Sequence, residues 1–88
     1  MNPADFAEEW QAAWNSHDLD RIMAHYADEV VFRSRKAVPL TGNGTVTGKP
    51  ALRAYWAAAL VRQPDLRFTV IDLFEGHGML VIRYRTHA

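Results

Sequence analysis

The apolar positions change period along the chain, and each change marks an element. Phe6, Trp10, Ala13 and Trp14 recur at i, i+4, i+7 and i+8, the stripe of an amphipathic helix. Asn2 followed by Pro3 predicts its start: a capping side chain, then proline at the first helical position. Asp5, Glu8 and Glu9 fall in the early turns, where carboxylates suit the positive end of the helix dipole. Asn15-Ser16-His17 favours a turn and predicts the stop. Asp18 then caps a second helix, with Leu19, Ile22, Met23 and Tyr26 at i, i+3, i+4 and i+7. Beyond Asp28-Glu29 the pattern turns strand-like, from Val30 to Arg35.

Pro39 to Lys49 (PLTGNGTVTGK) reads as a loop or irregular hairpin that could include a short edge strand at Thr45 to Thr47. Pro50 opens a third helix, in which Leu52, Tyr55, Trp56, Ala59 and Leu60 give the clearest helical period of the chain. Gln63-Pro64-Asp65 ends it. Leu66 to Phe74 and Met79 to Thr86 are strand-like and joined by Glu75-Gly76-His77-Gly78, which predicts an antiparallel hairpin. This order predicts an α+β fold: a single domain over residues 1–88, with a curved antiparallel sheet wrapped around two or three helices. Trp10, Trp14 and Trp56 all lie on helix faces that should meet the concave side of the sheet.

Composition narrows the classes. Ten basic residues balance ten acidic ones, which argues against a nucleic-acid partner. Arg33, Arg35 and Lys36 form only a small basic patch of the kind found at solvated strand ends. Cysteine is absent, so disulfides and zinc-thiolate sites are excluded, and a reduced cytoplasmic setting is expected. The N-terminal residues do not read as a signal peptide, and the longest apolar run, Ala54 to Val61, is too short to cross a membrane.

Several residues match a known family in order along the chain. They are Trp10-x3-Trp14-Asn15-x2-Asp18-Leu19-Asp20, then Tyr26-Ala27-Asp28-Glu29-Val30-x-Phe32. Gly48-Lys49-x-Ala51-Leu52-x2-Tyr55-Trp56 and Pro64-Asp65-Leu66-x-Phe68 follow. The chain thus resembles the SnoaL-like branch of the nuclear-transport-factor-2-like superfamily. That resemblance implies the cystatin-like cone shared by ketosteroid isomerase, limonene epoxide hydrolase and some polyketide cyclases. A scaffold with so many functions implies no single activity. Ketosteroid isomerase would place an oxyanion-hole tyrosine where Trp10 stands and a general-base aspartate where Ser34 stands. An indole is no phenolic acid, and a serine without a partner base does not abstract a carbon-bound proton. Family members also continue past the equivalent of His87 with further strands, so the last strands of the pattern are expected to be missing. The open edge of Met79 to Thr86 would then invite a homodimer, with or without strand exchange.

The aromatic set Trp10, Trp14, Tyr26, Phe32, Trp56 and Phe68, with Ser34 beside it, predicts a pocket for an apolar small-molecule ligand. The alternative is a solid core. A vacant slot of about 150 Å³ would cost roughly 3.6 kcal/mol at 24 cal/mol per Å³. That is a large share of the roughly 4–13 kcal/mol expected for a domain of this length.

Asp72 and Arg83, like Ser34, are expected to face inward from strand parity and are the weak catalytic candidates. Their alternative is a structural ion pair, Asp72 with Arg67, Arg83 or Arg85. His25, Asp28 and Glu29 could share a helix face, but their spacing meets no recognised metal motif, so no metal or other cofactor is assigned. Gly42 to Lys49 is not a phosphate loop: the glycine spacing is wrong and Pro50 replaces the magnesium-binding hydroxyl. Three functions stay open. They are a small-molecule-binding module, an enzyme of the isomerase, cyclase or epoxide-hydrolase type, and a protein–protein assembly module.

Overall fold

A computed structural model describes residues 1–88. Helix α1 (Pro3–Ser16) begins as the sequence predicts, with the Asn2 side chain accepting from the Asp5 backbone N–H at 2.8 Å. It ends at His17, whose left-handed backbone (φ 59°) closes the helix through a bond from its N–H to the Trp14 carbonyl. Asp18 caps α2 (Leu19–Met23) by accepting from Arg21. This helix is shorter than its apolar period suggests. Tight i to i−3 bonds from His25 and Tyr26 replace the helical ladder, so Tyr26 sits on a turn beyond the helix.

Strand β1 (Val31–Arg33) is also shorter than the predicted Val30 to Arg35. Ser34 turns the chain by accepting the Lys36 N–H at 3.2 Å, which opens a 3₁₀ turn at Arg35–Ala37. A single helical turn, α3 (Val38–Thr41), continues from it where the sequence suggested only loop. β2 (Thr45–Thr47) is the expected short strand and pairs antiparallel with β1, Phe32 opposite Val46. The return depends on Gly44 (φ 76°), where an added Cβ would lie 2.7 Å from the Ser34 carbonyl oxygen.

Helix α4 (Lys49–Arg62) carries Pro50 in its first turn. Strands β3 (Arg67–Gly76) and β4 (Met79–His87) form a long hairpin. Its two-residue turn, His77 and Gly78, has positive φ at both positions, as a type I′ turn requires. The α+β class and the antiparallel pairing match expectation. The strands do not, however, form one continuous hydrogen-bonded sheet: β1–β2 and β3–β4 are separate ladders. The core lies between them, where Trp14 of α1, Ile22 and Met23 of α2 and Leu52 and Trp56 of α4 are buried. Each tryptophan is worth about 4–6 kcal/mol as an upper estimate from roughly 150–250 Å² of burial.

Helix α1 holds β3 by its backbone as well. Asn15 donates to the Phe68 carbonyl at 2.9 Å and accepts the Phe68 N–H at 2.7 Å. One helical turn earlier, Gln11 accepts the Val70 N–H at 2.7 Å. The two amides imitate a neighbouring strand, so this edge of the hairpin is covered at Phe68 and Val70. At the end of α1, the His17 ring nitrogen Nε2 meets the Leu66 carbonyl at 2.6 Å.

Candidate functional site

The helices and both ladders converge on a cleft of about 240 Å³, partly open to solvent. Trp10 and Trp14 reach it from α1, Trp56 from α4, Phe32 from β1 and Phe68 from β3. Tyr26 enters from the turn after α2. The rings form one connected network rather than separate contacts. Trp56 meets Trp14 edge-on at 4.8 Å, Tyr26 at 5.1 Å and Phe32 at 5.2 Å. Phe68 stacks on Trp10 at 5.3 Å with the rings 8° from parallel. Such contacts add about 0.5–1.5 kcal/mol per pair beyond the area they bury. They also leave little rotational freedom, so the walls are set before anything enters.

All six aromatic residues singled out from the sequence therefore line one cleft, and Ser34 lies on its rim. The Ser34 hydroxyl is engaged as the cap of the 3₁₀ turn. Sequence reasoning missed Tyr84, Tyr55 and Lys36, which also line the cleft. Tyr84 lies 5.0 Å from Trp10 and 4.8 Å from Phe68. The signal for it was available, since Tyr84 alternates with Ile82 on one face of β4 and both are apolar-bodied. No carboxylate or imidazole is among the lining residues.

Asp72 and Arg83 are not part of the cleft. The register shifts between Val70 and Asp72, so Ile71 is a bulge with no partner of its own. One extra residue reverses the facing of everything after it. Asp72 lands opposite Arg83, on the face away from Tyr84 and Ile82. The two side chains, 44% and 62% exposed, form an ion pair with Arg83 Nε donating to Asp72 Oδ2 at 2.8 Å. The expectation that both look inward is thus corrected, and the bulge is the reason.

His25 is not gathered with Asp28 and Glu29. It meets Glu9 at 3.1 Å, and Arg21 donates to the same carboxylate through Nε and an Nη at 2.9 and 2.7 Å. No cluster of three or more His, Cys, Asp or Glu side chains is arranged to hold a metal ion. The Arg21 and His25 hydrogen bonds hold the Glu9 carboxyl at about 2, against an ordinary 4.5. In the cleft, burial pushes the Tyr26 hydroxyl above its ordinary value, opposed by the indole N–H groups of Trp10 and Trp14. The phenol therefore keeps its proton at neutral pH.

Residues 7–88 match the family model of the SnoaL-like domain. The chain belongs to the SnoaL-like family. A SnoaL-like protein of unknown function from Burkholderia thailandensis E264 has a similar crystal structure, with 41% identity and a TM-score of 0.90. The similarity covers 96% of this chain and 72% of that one. An uncharacterized cystatin-fold protein from Novosphingobium aromaticivorans shares the fold at 22% identity and a TM-score of 0.77, over 98% of this chain and 69% of that one. Among curated proteins, none matches. The SnoaL-like domain thus accounts for the cone-like arrangement of helices and antiparallel strands. It leaves the activity to be argued from the cleft. No helix is long and apolar enough to cross a membrane.

Proposed function

We propose that this SnoaL-like domain binds an apolar, ring-containing small molecule in the aromatic cleft. The observation that carries this reading is the convergence of all three tryptophans on one partly open space of about 240 Å³. An open cleft is filled by water when empty, so it escapes much of the penalty of a sealed void, and apolar ligands gain by displacing that water. Binding is favoured over acid–base catalysis because the cleft lining supplies no carboxylate or imidazole and the Asp72–Arg83 pair lies outside it. Thermal shift measurements with terpenoid, steroid and polyketide-like compounds test this. A rise in Tm with at least one class supports binding, and no shift with any compound of pocket size overturns it.

A homodimer is a second part of the proposal, resting on the outer edge of β4. Phe68 and Val70 turn their backbone groups toward α1, so their partners Thr86 and Tyr84 turn theirs to the opposite edge of the hairpin. No strand pairs there. A second β4, with exposed Met79 and Val81 adding apolar contact, would satisfy it. Light scattering at micromolar concentration should give twice the chain mass, and a monomer refutes the dimer. We also place the domain in the cytoplasm, on the absence of cysteine. Cell fractionation checks it.

A further inference from the structure

Of the basic run Arg33, Arg35 and Lys36, one residue turns to the cleft. β1 ends at Arg33, and the Ser34 hydroxyl, accepting the Lys36 N–H, winds the next residues into a 3₁₀ turn. That turn brings Lys36 to the cleft wall and leaves Arg33 and Arg35 outside it. Lys36 is exposed although the space it borders is apolar. A lysine does this by laying its aliphatic stem against rings and keeping the ammonium in water. Its charge is unanswered. Ion pairs take up Arg21, His25, Arg53 and Arg83, and none involves Lys36. Among the 14 residues that line the cleft, Lys36 alone is charged. The other polar lining groups are hydroxyls, indoles and the Gln63 amide, which carry no formal charge. The chain has ten basic and ten acidic residues, so the positive sign belongs to the cleft and not to the molecule as a whole.

We propose that the cleft selects ring-containing ligands that carry one carboxylate, the ring among the aromatic side chains and the carboxylate at the mouth on Lys36. This rests on the binding function proposed above and names the chemistry of its ligand. The rings of Trp56, Trp14, Phe32 and Phe68 suit the hydrocarbon part. A carboxylate carried in among them would lose its water and find no cation, which is costly. At the mouth it keeps part of its hydration and gains the ammonium. A phosphate fits less well, because its second charge would meet no arginine fork. Nor does a helix N-terminus help it: α4 turns its middle residues and its C-terminal cap, Gln63, to the cleft.

The experiment compares 2-naphthylacetate with 2-naphthylacetamide, which have nearly the same shape and differ in charge. Titration calorimetry at low salt should show the carboxylate binding about fivefold tighter, the upper end for an exposed ion pair. In about 1 M sodium chloride, where screening acts over roughly 3 Å, the two affinities should approach each other. They should also converge in Lys36→Gln. Arg35→Gln removes the neighbouring cation outside the cleft and should keep the preference. Equal affinities in the wild-type protein at low salt overturn the carboxylate inference and leave the apolar cleft standing. A preference that survives Lys36→Gln, or that Arg35→Gln abolishes as fully, overturns the assignment to Lys36. Binding of neither compound overturns both the inference and the binding function.

Discussion

At the base of the β3–β4 hairpin, Phe68 and Tyr84 lie 4.8 Å apart on the face that meets α1, with Trp10 stacked on Phe68. At its tip, Phe74 faces Val81 across the same two strands, and both are more than half exposed. Both pairs are large and apolar-bodied, although Phe68 and Tyr84 are diagonal neighbours and Phe74 and Val81 are direct partners. The difference is the face: Phe68 and Tyr84 stand where Trp10 of α1 packs, whereas Phe74 and Val81 share the outer face with Asp72 and Arg83. The Ile71 bulge separates the two regimes and turns the Asp72–Arg83 pair to the outer face. A strand's own sequence therefore sets its capacity to be buried, while the face it turns to the helix, which the bulge changes, decides which residues are.

The base should lose most when this contact is removed. Phe68→Ala should lower unfolding stability by about 3 kcal/mol, whereas Phe74→Ala at the exposed tip should change it by less than about 0.5 kcal/mol. Urea denaturation compares the two, and equal losses would erase the distinction between base and tip. Asn15→Ala should cost about 2 kcal/mol in the same assay, because both Phe68 backbone groups lose their partner. A neutral result would mean that β3 is held by packing alone.

The charged pair marks the other regime. A double-mutant cycle with Asp72→Asn and Arg83→Gln should give a coupling below about 1 kcal/mol, as for other exposed pairs. A much larger coupling would return the pair to the interior. The smallest effect expected at neutral pH is at Glu9, which ties α1 to α2 through Arg21 and His25. Its carboxyl is held at about 2 in the folded protein against 4.5 ordinarily, so folding favours the ionised form. That contribution is complete above pH 4.5 and fades as pH falls toward about 2. Denaturation midpoints of wild type and Glu9→Gln should therefore approach each other across that window. A constant gap would remove Glu9 from the acid response.

Much of the fold is legible in the chain because its signals are local. Asn2-Pro3, Asp18 and the His77-Gly78 turn act within a few residues, and each appears where its chemistry predicts. The three tryptophans of the cleft are legible for a related reason: a helical period puts Trp10 and Trp14 on one stripe and Trp56 on another. Strand β1 and helix α2 were harder to bound. Their ends are set by Ser34 capping a 3₁₀ turn and by the tight bonds of His25 and Tyr26, which compete with the regular pattern over single residues.

Alone, the sequence determined the order of elements, the α+β class and the set of rings available to line a pocket, because periodicity and capping depend on near neighbours. Tertiary structure decided the facing of Asp72 and Arg83, since one unpaired residue in β3 reverses parity and nothing in Val70-Ile71-Asp72 announces it. It also decided that Asn15 and Gln11 bind the β3 edge at Phe68 and Val70 and that Tyr84 joins the cleft. Those depend on groups far apart in the chain, and only the packing of α1 across the hairpin brings them within reach.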